Sequence, residues 1–66
     1  MIAWEGYGNR WRLHPGVSDT ITRAIRREGI DMVCRRIGVD SVAAETAAYT
    51  GIARLETVEA IKAWLR

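Results

Sequence analysis

Five arginines stand close together in this chain: Arg23, Arg26 and Arg27, then Arg35 and Arg36. A guanidinium carries a permanent charge and a planar fork of donors that matches phosphate and carboxylate oxygens. Such a cluster suits the gripping of anions more than the breaking of bonds. The other reactive types are sparse. There is one cysteine, Cys34, and one histidine, His14. Those two cannot assemble a structural zinc site. No phosphate loop, dinucleotide fingerprint or zinc spacing occurs. His14 precedes Pro15 and reads as a loop or ribbon-end residue rather than a base. Cys34 falls on or beside an apolar helix face and reads as a small buried hydrophobe; Arg35 and Arg36 would lower its pKa if the thiol were exposed. Glu56 and Glu59, three apart on a helix, describe a wet face. No catalytic residue, metal or cofactor is expected, and the chain reads as non-enzymatic.

The elements that must carry these arginines follow from patterning. Residues 2–13 read as a β-hairpin in which Gly6-Tyr7-Gly8-Asn9 supplies the turn. A four-residue loop pairs Glu5 with Arg10, Trp4 with Trp11 and Ile2 with Leu13, leaving an apolar face of Ile2, Trp4, Trp11 and Leu13. A two-stranded ribbon alone is marginal in water, so that face must lie on helices or on a second copy of the chain. Four helical segments follow, each closed by glycine or by the chain end. The first is capped by Ser18 or Asp19 and turns Val17, Ile21, Ala24 and Ile25 inward, with Arg23, Arg26 and Arg27 opposite. Gly29 takes the left-handed stop position. Asp31 caps the second helix, which turns Ile30, Val33 and Ile37 inward and stops at Gly38. Asp40 or Ser41 caps the third, which runs to Gly51. The fourth begins near Leu55, with Leu55, Val58, Ile61 and Trp64 or Leu65 as its stripe. The fold class is therefore mainly α: an N-terminal β-hairpin (1–14) and a compact bundle of about four short helices (17–66) in one small domain.

Charge and length narrow the partners. The 66 residues carry a net charge of +2, and nine of the ten cations are Arg. Residues 1–36 hold seven arginines against four acids, a balance of +3; residues 37–66 hold three cations against four acids, a balance of −1. A chain this short buries about 60% of the surface its unfolded form exposes. With no disulfide or metal to help, association as a homodimer is expected. No apolar run approaches the ~20 residues of a membrane span. The first residues lack the basic start and apolar stretch of a signal peptide. Together with the free cysteine, this points to the cytoplasm.

The run from Met32 to Ala47 resembles the prokaryotic helix-turn-helix DNA-binding proteins. Cys34 stands where that family favours alanine, Gly38 at its turn, and Val39, Ala44 and Ala47 at its buried positions. A second, looser frame runs from Ala47 to Ile61, with Gly51 at the turn and one extra residue after it; it is slightly preferred, because the preceding helices can pack beneath it. The alanine-rich stretch from Val42 to Ala48 serves both. In the first frame the implied recognition helix, Ser41 to Thr50, contains no Arg, Lys, Asn or Gln, the types that read base edges. In the second it offers Arg54, Thr57, Lys62 and Arg66. The resemblance implies a small transcriptional regulator that contacts duplex DNA through Arg23, Arg26, Arg27, Arg35, Arg36, Arg54, Thr57 and Lys62.

Two other likenesses are local. Pro15-Gly16-Val17-Ser18 resembles the hairpin of a helix-hairpin-helix module. Ile37-Gly38-Val39 with the segment from Thr57 to Leu65 resembles the ubiquitin-associated type of three-helix domain. The alternative function is a protein-binding module or inhibitor, such as a small phage protein that blocks a host factor. It would use a Trp/Arg surface built on Trp4, Trp11 and Trp64, since Trp, Tyr and Arg dominate interface hot spots. Against that stands plain core filling by at least two of the three tryptophans.

Overall fold

A computed structural model describes residues 3–7 and 10–66, with side chains from Arg10 onward. The order of elements is β1 (Ala3–Tyr7), β2 (Arg10–Leu13), α1 (Pro15–Glu28), α2 (Ile30–Ile37), α3 (Ser41–Thr50), β3 (Ile52–Arg54) and α4 (Leu55–Leu65). The expected architecture of a hairpin and four helices is what the chain adopts. It adds one strand: β3 pairs with β2, making a three-stranded antiparallel sheet of order β1-β2-β3. No helix among the described residues is long and apolar enough to cross a membrane.

The core is the common inner face of all these elements. Ile21, Val33, Ala47 and Ile61 are essentially sealed, and Leu13, Ala24, Ile37, Ala48, Ala53 and Val58 complete it. The inward stripes of α1 and α2 follow the 3.6-residue pattern. Ile21 and Ala24 are buried, while Val17 and Ile25 are half-buried against them. The stripe of α4 is narrower than expected. Val58 and Ile61 are buried, whereas Leu55 and Leu65 at its ends remain exposed.

The hairpin register differs from the expected one. The observed pairs are Ala3 with Leu13, Trp4 with Arg12, Glu5 with Trp11 and Tyr7 with Arg10, with an irregularity between Glu5 and Tyr7. Gly6 and Tyr7 thus belong to β1 and not to the turn. The expected partner Ile2 and the turn residues Gly8 and Asn9 lie outside the described residues. A register is set by loop length and by the side chains the strand must bury, and a one-residue slip sends each side chain to the other face. Here β2 is also held from its other side: the Leu13 N–H donates to the Gly51 carbonyl at 2.7 Å, and Leu13 is buried.

Helix ends match the expected punctuation, with local corrections. The first helix starts at Pro15, before Ser18 and Asp19, and neither caps it; proline suits the first helical position because its fixed φ is already helical. Pro15-Gly16-Val17-Ser18 is accordingly the first turn of α1, not a hairpin between helices. Gly29 has positive φ (92°) but an extended ψ (151°), so α2 begins one residue after α1 ends, with Asp31 in its first turn and no side-chain cap. Gly38 and Gly51 are left-handed, and the Asp40 carboxylate accepts from the Ala43 N–H at 2.8 Å, capping α3.

Candidate nucleic-acid interface

The arginines of α1 and α2 come together at the ends of their helices. Arg27 and Arg36 converge on one carboxylate: Arg27 Nη2 lies 3.3 Å from Glu28 Oε2, and Arg36 Nη1 lies 3.0 Å from Glu28 Oε1. Oε1 is buried and makes no aligned hydrogen bond, so its contact with Arg36 is one of charge. Glu28 therefore ties the last turn of α1 to the last turn of α2. Arg26 and Arg35 flank this knot, exposed and with no acid within ion-pair distance among the described residues. Arg23 shares the face one turn earlier and pairs with Asp19 at 2.9 Å. An exposed pair of that kind adds little stability and yields readily to a competing anion. Basic residues in the last turns also face the negative ends of both helix dipoles.

The remaining expected contacts are dispersed. Arg54 ends β3 and stands at the N-cap of α4. Lys62 is exposed eight positions further along, roughly 12 Å at 1.5 Å per residue. Thr57 is 6% exposed, so only a small part of it reaches the surface, along a groove beside Arg54. Arg10, not among the expected contacts, stands directly opposite Arg54 across the β2–β3 pair. No local signal in the sequence marks it, because β3 has only three residues, Ile-Ala-Arg, and becomes a strand through its partner. Trp11 and Trp64 are half-buried and packed against the core, which is the core-filling role and leaves little free docking surface. The side chain of Trp4 lies outside the described part.

The two expected helix-turn-helix frames differ in their connections. Between α2 and α3 stand Gly38 (φ 88°, ψ 33°), Val39 and the cap residue Asp40. Gly38 and Val39 both donate N–H to the Cys34 carbonyl, at 2.7 and 3.2 Å. Val33, Ile37, Ala44 and Ala47 are buried and Val39 is half-buried beside them. This is a helix, a tight turn and a helix. The slightly preferred second frame is not: after Gly51 the chain runs through β3 before α4 begins. Its apolar positions are buried, but the connection is a paired strand. The solvent face of α3 shows Ser41, Val42, Glu45, Thr46 and Tyr49, with Val42 72% and Tyr49 60% exposed. It carries no cation.

Cys34 is half-buried, and its thiol pKa is raised. Desolvation is the largest cause, followed by the carboxylates of Asp31, Asp40 and Glu45. A lowering by Arg35 and Arg36 is conditional on an exposed thiol; the sulfur is half-buried, and the charges that act on it are acidic. No group of three or more metal-ligating side chains occurs among the described residues. No family model, curated protein or solved structure matches this chain.

Proposed function

We propose that this protein is a small helix-turn-helix module that binds duplex nucleic acid mainly through its phosphates. The observation that carries the reading is the pairing of an α2–Gly38–α3 turn with arginines in the last turns of α1 and α2, where Arg27 and Arg36 meet on the half-buried Glu28 and Arg26 and Arg35 stand exposed beside them in the chain. Phosphate contacts position a protein on a duplex, and base-edge contacts supply sequence preference. The face of α3 offers only Ser41, Thr46 and Tyr49 for the latter, so weak sequence discrimination is part of the proposal. In this reading the protein acts in the cytoplasm as a homodimer that presents two such patches.

The test is duplex binding across a salt series. Arg26→Gln/Arg35→Gln removes two arginines that hold no ion pair, so the fold is left intact. Deleting one phosphate contact should flatten the log–log salt slope by about 0.9, hence by roughly 2 for this double variant. A duplex left unbound even at low salt defeats the proposal. One observation favours a second reading, a protein-binding module: the α3 face joins exposed Val42 and Tyr49 with two acids nearby, Asp40 and Glu45. Under that reading Val42→Asp/Tyr49→Ala abolishes capture of a protein partner, and DNA has no effect.

A further inference from the structure

Arg10 and Arg54 are direct cross-strand partners. The Leu13 N–H to Gly51 carbonyl bond sets the alternation of the β2–β3 ladder. Counting back from it, Arg10 and Arg54 form a non-hydrogen-bonded pair, the class with Cα atoms about 4.5 Å apart and side chains closest. Like charges directly opposite one another destabilise a sheet. Yet both side chains are exposed, and neither forms an ion pair with any described residue. Both line one groove of about 800 Å³, whose far wall is the turn before α3 and the outer side of α3, including Asp40, Val42 and Thr46.

The groove floor adds donors. Arg54 is the N-cap position of α4, and no side chain caps that terminus. Thr57, in the first turn of α4, lines the groove and is more than nine-tenths buried. Two carboxylates also line the groove. Asp40 is engaged with the Ala43 N–H at 2.8 Å, while Glu56 is exposed.

We infer that the groove between α3 and the β3–α4 junction is a phosphate-group site, clamped by Arg10 and Arg54 with the Thr57 hydroxyl and the first turn of α4 beneath. An anion between two guanidinium groups converts their repulsion into two charge-assisted contacts. The site supplies, beside α3, the cations that α3 itself lacks. It rests on the proposed function only for the carrier of the phosphate, nucleic-acid backbone rather than the free ion.

The experiment is an amide-resolved NMR titration of the whole protein, first with inorganic phosphate and then with a short duplex, at fixed ionic strength. Phosphate is expected to shift the amides of Ala53, Arg54, Glu56 and Thr57. Arg10→Gln and Arg54→Gln are each expected to weaken that response about tenfold, the equivalent of one charged hydrogen bond. Glu56→Gln should tighten it a few-fold by removing a like charge from the anion's surroundings. Phosphate shifts that are absent, spread over the surface, or unchanged in Arg54→Gln overturn the site. If phosphate shifts these amides and the duplex does not bind, the site stands and the nucleic-acid reading falls. If the duplex binds equally to wild type and Arg10→Gln/Arg54→Gln, the nucleic-acid reading stands and this site falls.

Discussion

Two junctions in this molecule begin alike and end differently. Gly38 (φ 88°, ψ 33°) closes α2, and Gly51 (φ 72°, ψ 17°) closes α3. Both are left-handed, and both are where a helix must stop. After Gly38 the chain re-enters a helix at once, because Asp40 is at hand to cap it. After Gly51 no capping side chain arrives. Instead β2 offers the Leu13 N–H to the Gly51 carbonyl, and the chain extends for three residues before α4. The glycine decides where a helix ends; the partner available to the next few backbone groups decides whether a helix or a strand comes after it. One junction is closed locally and the other by a distant strand.

That contrast can be broken from its distant side first. Leu13→Ala removes a buried side chain at the strand that holds the Gly51 junction, and a cost of about 2–4 kcal/mol is expected. Val39→Ala, at the half-buried residue of the Gly38 junction, should cost about 1 kcal/mol. Urea denaturation of both variants checks the order, and equal losses would erase the distinction between a distant and a local closure.

Next come the glycines themselves. A Cβ on Gly51 would stand 3.3 Å from the Ser18 hydroxyl oxygen, whereas a Cβ on Gly38 meets open space. Each alanine carries the left-handed penalty of about 1–2 kcal/mol, so Gly51→Ala should be the more costly of the two. Ser18→Ala in the Gly51→Ala background should recover that difference, unless the hydroxyl swings aside without cost.

Capping gives a smaller effect of opposite sign at the two helices. Asp40→Ala should destabilise by about 1 kcal/mol through loss of the α3 cap. Arg54→Asp should stabilise by a similar amount, about 1 kcal/mol, since it caps α4 and places an acid opposite Arg10. The same change should abolish phosphate binding in the groove, so stability and binding move in opposite directions at one residue.

The smallest effect concerns Cys34, whose carbonyl closes the Gly38 turn. Its thiol pKa is raised, so the sulfur stays protonated beyond the ordinary thiol range. Alkylation of the folded protein should lag that of the urea-unfolded chain near pH 8–9 and approach it only at higher pH. The same shift fixes the sign for stability. The contribution is fully present below the unfolded thiol pKa and disappears as pH rises through the folded one. Equal alkylation rates for folded and unfolded protein near pH 8 would contradict the shift.

Much of the candidate interface was legible from spacing. Arg23, Arg26 and Arg27 share a face because they follow the helical period, and the apolar stripe of Ile21 and Ala24 opposite them orients that face outward. The turn at Gly38 and the cap at Asp40 are local signals as well. Three features were hidden. The meeting of Arg27 and Arg36 on Glu28 depends on how two helices pack. The burial of Thr57 depends on the elements that cover α4. The hairpin register depends on a strand some forty positions away in the chain, since Leu13 pairs with Gly51.

Helix boundaries, inward stripes and the excess of positive charge in the first half are properties of neighbouring residues, so the chain order alone determined them. Strand β3, the sliding of the hairpin by one position and the face-to-face arginines 10 and 54 are properties of segments brought together from afar. A three-residue extended piece has no conformational preference strong enough to announce itself; it exists because β2 satisfies its backbone. Tertiary structure alone could decide that, and with it where the second set of charges would lie.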